Sequence, residues 1–233
     1  MTSWCIIAFG ISFPSVINGI FTDTFSLFLF IMSLDSLFEQ LKHPNPNLRA
    51  DAMLSIANQS DSQVIERLIS ILDETDVTYR RAAVKTLGVI GAAAVSPIVD
   101  QLLHSDNVTV RSSAAKALAQ ISVNHPTVKF PEEGLQGLKA AVGDPNPVVH
   151  IASVMALGTM GSSAFDILKE LLETTGNPAA AVAIVNALAD LKDERSVEVL
   201  KSASVDDSLD SYVQESAVSA LSRLEMTMNF NRS

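Results

Sequence analysis

One pattern recurs six times along the chain and constrains its fold more than any other feature. Each copy begins with an aspartate or asparagine, continues with small residues, and has a leucine or isoleucine eleven positions after the Asx residue. The Asx positions are Asn45, Asp76, Asn107, Asn146, Asn177 and Asp210, and the matching apolar positions are Ile56, Leu87, Leu118, Leu157, Leu188 and Leu221. Both series have spacings of 31, 31, 39, 31 and 33 residues. Two independent markers therefore define six consecutive units.

Each Asx residue is predicted to be the N-cap of a helix. Its side-chain oxygen can accept a hydrogen bond from a backbone N–H that has no partner within the helix. Proline follows the cap in three units, at Pro46, Pro147 and Pro178, where a missing N–H costs nothing. Small residues then recur at helical spacing, and small side chains let neighbouring helices approach closely. The pattern predicts one closely packed helix after every cap.

A second amphipathic stretch precedes each cap. Apolar residues within it, such as Val64, Leu68 and Leu72, have the spacing of a helix with one buried face. The six stretches are residues 34–42, 63–72, 95–104, 132–142, 165–172 and 196–203. Each unit is therefore predicted to be a helix, a short turn and a second helix. A unit of about 30 residues cannot bury its apolar face alone, so the units must stack on one another.

The predicted fold is all-α: an α-solenoid of about six HEAT-like two-helix repeats, from about Ser33 to Glu225, wound into a right-handed superhelix. Tetratricopeptide and ankyrin repeats have similar lengths, but their sequence markers are absent. An arginine four residues after the cap in the first three units is HEAT-like, at Arg49, Arg80 and Arg111. We expect these arginines to form a structural ladder that bonds Asp or carbonyl groups of adjacent units.

One irregular spacing places eight extra residues before the fourth unit. The segment 123–131, which contains Pro126 and Pro131, is predicted to be a long loop. Loops that interrupt a regular array often carry function. A tolerated insertion without a function of its own is the favoured interpretation.

Residues 1–31 differ in composition from the rest of the chain. They contain one charged residue, Asp23, together with the single Trp, the single Cys and six of the ten Phe. No basic residue precedes Lys42, which argues against a signal peptide. Glycine, proline and polar residues interrupt every stretch long enough for a membrane helix, although a membrane anchor stays an alternative. We expect translation to begin at Met32, with residues 1–31 outside the fold and residues 32–233 forming the repeat domain.

Charge and cysteine usage narrow the function classes. The formal net charge of −10 at pH 7 repels phosphate backbones, so nucleic acid is not an expected partner, and neither is a membrane. The single cysteine, Cys5, lies outside the repeats and cannot form an intramolecular disulfide, which favours a cytoplasmic location. Each of the four histidines is followed by a residue other than glutamate, which disfavours a di-iron site. We predict no metal site and no thiol catalysis by the repeats.

The outward positions of the second helices are the candidate binding site, because second helices line the concave side of HEAT-type stacks. Units two and three place basic residues there, and units four and five place apolar ones. The candidate residues are Tyr79, Arg81, Lys85, Lys116, His150, Ile151, Met155, Asn186 and Tyr212. Such a surface suits an amphipathic ligand with a carboxylate end and an apolar body. A solvated charged face beside ordinary core packing is the alternative interpretation. We assign Tyr79 and Tyr212 to equivalent positions and expect both to be packing residues with hydroxyls at the rim.

Whole repeat segments, including residues 43–49, 76–88 and 144–158, resemble the phycobilin lyases of the E/F type. The resemblance covers residues 32–233 and is strongest to a small chaperone-like member that assists phycoerythrobilin attachment to phycoerythrin. It implies a cyanobacterial, cytosolic protein that acts with a second HEAT-repeat lyase subunit. Together they would deliver an open-chain tetrapyrrole to cysteines of a phycobiliprotein, the α or β subunit of phycoerythrin, and form a thioether.

The resemblance implies no cofactor of the chain's own, since the phycobilin would be a transferred ligand. No catalytic motif of the family can be matched to this chain residue by residue, so the catalytic residues are unknown. Whether the chain is an enzyme or a chaperone-like binding protein stays open. The alternative function is a non-catalytic HEAT-repeat scaffold in phycobilisome assembly or degradation.

Overall fold

The computed structural model describes residues 33–230 and contains six consecutive pairs of α-helices in that range. The helices are α1 (Leu34–Gln40), α2 (Pro46–Ala57), α3 (Ser62–Ile69), α4 (Val77–Ile90), α5 (Val95–His104), α6 (Val108–Asn124), α7 (Glu132–Ala141), α8 (Pro147–Gly158), α9 (Phe165–Thr174), α10 (Pro178–Asp190), α11 (Arg195–Ser204) and α12 (Ser211–Phe230). No strand occurs between residues 33 and 230. The prediction of an all-α solenoid of six two-helix repeats is confirmed, and the handedness of its superhelix stays a prediction.

The predicted caps are present at the start of all six second helices. In each case the side-chain oxygen of the Asx residue accepts a hydrogen bond from the backbone N–H two residues later, at 2.7 to 3.0 Å. Pro46, Pro147 and Pro178 follow their caps in the first turn, as predicted. Because the cap fixes where each second helix begins, it also fixes which residues of that helix face the core. From here on, a position in a second helix is given as the number of residues after its cap. Lys85, for example, lies nine positions after Asp76.

The second helices form one continuous layer. Each of the first five packs against the second helix of the next repeat, and all six pack against the first helix of their own repeat. The apolar marker eleven residues after the cap is fully buried in units one to five, from Ile56 to Leu188. Burying a leucine or isoleucine side chain contributes about 2 kcal/mol. The repeated marker is therefore part of the core of the stack.

Small residues twelve positions after the cap let neighbouring second helices meet closely. A Cβ atom added to Gly88 on α4 would lie 2.5 Å from the Cβ atom of Gln120 on α6. A Cβ atom added to Gly158 on α8 would lie 3.2 Å from the Cα atom of Ala187 on α10. Both distances are shorter than ordinary van der Waals contact. The glycines are required because two backbones approach one another at these points.

Left-handed residues fifteen positions after the cap follow three of the second helices. They are Gly91 with φ 84°, Gly161 with φ 60° and Lys192 with φ 56°. Glycine adopts this conformation without strain, whereas a lysine does so at a cost of about 1 kcal/mol. The two glycines each begin a short 3₁₀ helix that leads into the next repeat.

The insertion between units three and four differs from the prediction at its start. Helix α6 continues to Asn124, so the loop spans residues 125–131 rather than 123–131. The Nε2–H group of His125 donates a hydrogen bond to the Val89 carbonyl at 3.1 Å, and Phe130 is buried. The loop is therefore anchored to the second repeat at one end and to the core at the other.

One segment of the described chain has the length and composition of a membrane span. It is Val77–His104, and 61% of its most apolar window is buried within the protein. The segment consists of α4, a 3₁₀ turn and α5, and the buried core of a soluble protein passes the same test.

The predictions for residues 1–31, including the domain boundary at residue 32, fall outside the described residues and stay predictions.

Candidate functional site

The caps place corresponding residues of every second helix on one exposed side of the layer. Nine positions after the cap the residues are Leu54, Lys85, Lys116, Met155, Asn186 and Ser219. Five positions after the cap they are Ala50, Arg81, Ser112, Ile151, Val182 and Glu215. We call these two rows, together with the row two positions after the cap, the second-helix face. Its side chains are mostly exposed; Ser112 is buried, and the half-buried ones are Ala50, Thr109, Val182 and Asn186.

The second-helix face is basic at the second and third repeats. Arg81 and Lys85 are exposed on α4, and Lys116 is exposed on the adjacent α6. The pKa of Lys116 is lowered, first by partial burial and then by the positive charges of Arg80 and Arg81. Within residues 33–230, none of Arg81, Lys85 and Lys116 forms an ion pair with a carboxylate. Concentrated positive charge of this kind attracts carboxylate ligands.

The fourth repeat continues the face with apolar side chains. Val148, Ile151 and Met155 on α8 are 54%, 46% and 67% exposed. Helices α6 and α8 pack together, and Lys116 and Met155 occupy the same position of neighbouring repeats. The apolar patch therefore begins one repeat away from the basic cluster. Val148 was not among the site residues predicted from the sequence, although its position two residues after a cap could have predicted that its side chain is exposed.

Two predicted site residues do not lie on this face. Tyr79 is buried beneath Lys42, whose Nζ atom is 4.8 Å from the ring centre, and burial raises the pKa of the tyrosine. The Nδ1–H group of His150 donates a hydrogen bond to the Val142 carbonyl. The His150 Nε2 atom is buried and has no hydrogen-bond partner in the described part of the chain. In units two to six, the side chains three positions after the cap are buried, and those four positions after it are buried or half-buried.

The predicted assignment of Tyr212 to the position of Tyr79 is wrong. Tyr212 lies two residues after its cap, and Val213, three residues after the cap, takes the buried position. One residue corresponds to about 100° around a helix, so Tyr212 is exposed. It shares its row with Val148 and belongs to the second-helix face at the sixth repeat.

Asn186 lies on the second-helix face but already has protein partners. Its Nδ2 group donates to the Val182 carbonyl at 2.9 Å, and its Oδ1 atom lies 3.3 Å from a guanidinium nitrogen of Arg223. Arg223 also reaches the Asp190 carboxylate at 3.3 Å. Sequence reasoning missed Arg223, whose guanidinium pairs with the Asp190 carboxylate and contacts Asn186.

The predicted arginine ladder is present four positions after the cap. Arg49 donates to the carbonyls of His43 and Pro44, at 2.6 and 2.9 Å. Arg80 donates to the Glu74 carbonyl. These carbonyls belong to the turn of the same repeat, not to an adjacent repeat as predicted. The arginines therefore fasten each turn to its own second helix.

Arg111 is the ladder residue that also reaches the next repeat. It donates to the Ser105 carbonyl at 2.9 Å and to both oxygens of Asp144, at 2.7 and 3.2 Å. The side chains of Arg111 and Asp144 are only 13% and 8% exposed. Hydrogen bonds from Arg111 hold the pKa of Asp144 below its usual value. The pair joins the third repeat to the fourth.

No three His, Cys, Asp or Glu side chains among residues 33–230 are arranged to hold a metal ion. The prediction of no metal site stays a prediction for the whole chain. The arrangement that the described residues do show is a charged cluster next to an apolar patch on a layer of packed helices, which is suited to holding an amphipathic molecule.

The fold defines a helical-repeat protein whose second-helix face is part basic and part apolar. A family model described as HEAT repeats matches residues 34–119 and 135–222, which is most of the chain. The chain belongs to the HEAT-repeat family. The gap between the two matched segments contains the loop at residues 125–131.

Three relatives indicate the branch of the family. The uncharacterized phycocyanin operon protein Z of Pseudanabaena tenuis is 58% identical over 201 residues, which cover 86% of this chain and 100% of the relative. The bilin biosynthesis protein CpeZ of Synechococcus sp. WH8020 is 40% identical over 46% of this chain and 58% of its own length. The phycocyanobilin lyase subunit beta of Thermosynechococcus vestitus is 32% identical over 47% of this chain and 48% of its own length. The resemblance to the phycobilin lyases is confirmed.

Proposed function

We propose that the chain is a phycobilin lyase subunit, or a chaperone-like factor, that assists covalent attachment of phycoerythrobilin to cysteines of phycoerythrin. The relatives named for bilin biosynthesis and for a phycocyanobilin lyase subunit support a role with bilins. The single observation that carries the proposal is the pairing of a basic cluster with an exposed apolar patch on the second-helix face. Arg81, Lys85 and Lys116 form the cluster, and Val148, Ile151 and Met155 form the patch.

A bilin has the two kinds of surface that such a face would bind. Its two propionates are carboxylates, and its conjugated tetrapyrrole is largely apolar. Charge-assisted hydrogen bonds from Arg81 and Lys85 would hold the propionates. The conjugated body would then lie across Ile151 and Met155, where each 100 Å² of apolar area removed from water contributes about 2.5 kcal/mol.

The attachment chemistry needs no nucleophile from this chain. A cysteine thiol of the acceptor adds to a carbon–carbon double bond of the bilin, so that a C–S bond forms and the thiol proton ends on the adjacent carbon. No group leaves and no oxidant is consumed. The contribution of this chain is to hold the bilin in one orientation against the acceptor, which lowers the entropic cost of the addition. The phycobilin is thus a transferred ligand rather than a resident cofactor.

The proposed partners are a phycoerythrin subunit and a second HEAT-repeat lyase subunit. The Thermosynechococcus relative is named as the beta subunit of a phycocyanobilin lyase, which supports a heteromeric lyase. The formal net charge of −10 would repel an acidic acceptor overall, so such an acceptor would have to contact a local basic surface of this chain.

Reconstituted chromophore attachment tests this function. The acceptor subunit and the enzymes that make phycoerythrobilin are co-expressed with and without this chain, each with and without the second lyase subunit. We expect the chain to raise the yield of correctly attached chromophore, measured by absorbance and fluorescence. In parallel, phycoerythrobilin is added to the purified chain. If the chain binds the bilin itself, the absorbance spectrum of the bilin should shift.

The outcomes separate three roles. A spectral shift with a raised yield supports a lyase subunit, and a raised yield without a shift supports a chaperone for the acceptor. If neither the chain alone nor the chain with its partner binds the bilin or raises the yield, the proposal fails and an interaction scaffold becomes the better account.

A further inference from the structure

We propose that a pocket beneath the loop at residues 125–131 is a binding site for a small carboxylic acid with one apolar ring. The pocket has a volume of about 200 Å³ and is partly open to solvent. Its walls are Ile90 and Ala92 of the second repeat, Ile121 on α6, and His125 and residues 128–131 of the loop. We call it the loop pocket. None of these residues belongs to the second-helix face, so the site is separate from the one proposed for the bilin.

His125 anchors the first end of the loop to the second repeat. Its Nε2–H group donates a hydrogen bond to the Val89 carbonyl at 3.1 Å, and a Cβ atom added to Gly91 would lie 2.7 Å from that nitrogen. Gly161 occupies the same position of the fourth repeat, where an added Cβ atom would meet nothing within 4 Å. The His125 ring therefore occupies space that only a glycine at residue 91 leaves open.

Phe130 anchors the other end of the loop to the core. It is 6% exposed, and a Cβ atom added to Gly134 on α7 would overlap its ring. Between the two anchors, the Val128 N–H group donates to the His125 carbonyl at 3.1 Å and closes a turn. Glycines on both sides thus make room for the two anchoring rings. An insertion without a function would not require this fit.

The space between the anchors is apolar and has the size of one ring. Ile121 and Phe130 are buried, and protein interiors rarely leave a void of this size unfilled. An apolar cavity of about 150 Å³ is enough to hold a benzene molecule. The loop pocket therefore has room for one ring and a short chain, and it is too small for a whole tetrapyrrole.

Lys129 gives the pocket a positive charge at its exposed edge. It forms no ion pair with any carboxylate of the described residues. Glu132 and Glu133, the next acidic residues in the chain, do not line the pocket, and the Glu132 carboxylate accepts a hydrogen bond from Gln136 at 2.8 Å. Apolar walls with one unpaired ammonium at the edge are complementary to a ring that carries a carboxylate.

An NMR titration of the purified full chain with 3-phenylpropanoate tests the site. This acid has one ring, a two-carbon chain and a carboxylate, whereas 3-phenylpropan-1-ol is uncharged and 3-phenylpropylamine is positive. We expect the acid to shift the methyl signals of Ile90, Ile121 and Val128, with a Kd on the order of 1 mM. It should bind about fivefold more tightly than the alcohol, and the amine should bind most weakly.

Two matched pairs of substitutions locate the site. Ala92→Leu fills the pocket and should abolish binding of the acid, whereas Ala93→Leu changes an exposed neighbour that does not line the pocket and should leave binding unchanged. Lys129→Gln should remove the advantage of the acid over the alcohol, and Lys201→Gln, at an exposed position on α11, should retain it. Circular dichroism should show all four variants folded.

Several results would overturn the proposal. One is the absence of shifts at the pocket methyl groups, and another is unchanged binding of the acid by folded Ala92→Leu. Equal affinity for the acid and the alcohol would assign the pocket to an uncharged apolar group instead. Displacement of the acid by phycoerythrobilin would make the pocket a part of the bilin site.

The titration requires neither a bilin nor an acceptor, so its outcome is independent of the proposed function. Binding of the acid by a chain that does not raise the chromophore yield would retain the loop pocket and reject the bilin role. A raised yield without binding of the acid would retain the bilin role and reject the loop pocket.

Discussion

Arg111 and Asp144 connect the third and fourth repeats across the place where the insertion interrupts the array. Two hydrogen bonds, at 2.7 and 3.2 Å, pair the guanidinium with the carboxylate, and both side chains are largely buried. Such a pair gains little over an apolar replacement, but removing one partner leaves a buried charge without compensation. The pair is therefore a point where one substitution should weaken the junction between the two halves of the stack.

Asp144→Asn should lower the free energy of unfolding by about 3 kcal/mol at pH 7, measured by urea denaturation. The pKa of Asp144 is lowered in the folded chain, chiefly by hydrogen bonds from Arg111. Its contribution is therefore complete above the unfolded-state pKa of about 3.9 and is lost as the pH falls through the lower folded-state pKa. The free energies of unfolding of wild type and of Asp144→Asn should therefore become equal in that acidic range.

The control is Asp166→Asn, because the Asp166 side chain is exposed and reaches Arg195 only at 3.8 Å. It should change the free energy of unfolding by less than about 0.5 kcal/mol. A difference between wild type and Asp144→Asn that stays constant down to the lowest pH would contradict the assigned role of the carboxylate.

Exposed apolar residues of the fourth repeat should matter for binding and not for folding. Replacing Ile151 and Met155 together by serine should change stability by only about 1 kcal/mol, because the two side chains are 46% and 67% exposed. The same double variant should weaken the absorbance change on addition of phycoerythrobilin. Val154→Ser, at a fully buried position between them, should instead destabilise the chain by about 2 kcal/mol or more. Unchanged bilin binding by the double variant would remove the apolar patch from the site.

At the scale of the helix, the start of each second helix was predictable and its end was not. The cap is a contact between residues two apart, so Asp76 or Asn146 is recognisable without the rest of the fold. The end depends on whether a left-handed residue follows, as at Gly91, or the helix continues, as α6 does to Asn124. This choice is made by packing against other repeats, which a single segment does not reveal.

The close approach of α4 and α6 gives a test at this scale. Gly88→Ala would normally favour a helix by about 1 kcal/mol. Here the added Cβ atom would meet the Gln120 Cβ atom at 2.5 Å, so the two helices must move apart. We expect a net destabilisation of about 1 to 3 kcal/mol, measured by thermal or urea unfolding.

Gly176→Ala is the matched control, because a Cβ atom there would meet nothing within 4 Å. It should be neutral or stabilising by up to about 1 kcal/mol. Equal effects of the two substitutions would mean that the second helices are not held as closely as described.

For the whole molecule, the sequence predicted the stack and most of the exposed face. Arg81, Lys85, Lys116, Ile151 and Met155 were found because their distances from the caps are fixed by the helix. The assignments of Tyr79 and His150 to the face were wrong because a single helix does not show which side its neighbours cover.

The second-helix face is the proposed place where a bilin is held, with its propionates at the basic cluster. The most direct measurement is the yield of phycoerythrobilin attached to the acceptor by Arg81→Ala with Lys85→Ala, compared with Lys169→Ala with Lys201→Ala. The control lysines are exposed on the first helices α9 and α11. We predict a yield at least about fivefold lower for the first variant, equal to about 1 kcal/mol of lost interaction, and an unchanged yield for the second, with both folded. Wild-type yield from the folded first variant would contradict the account.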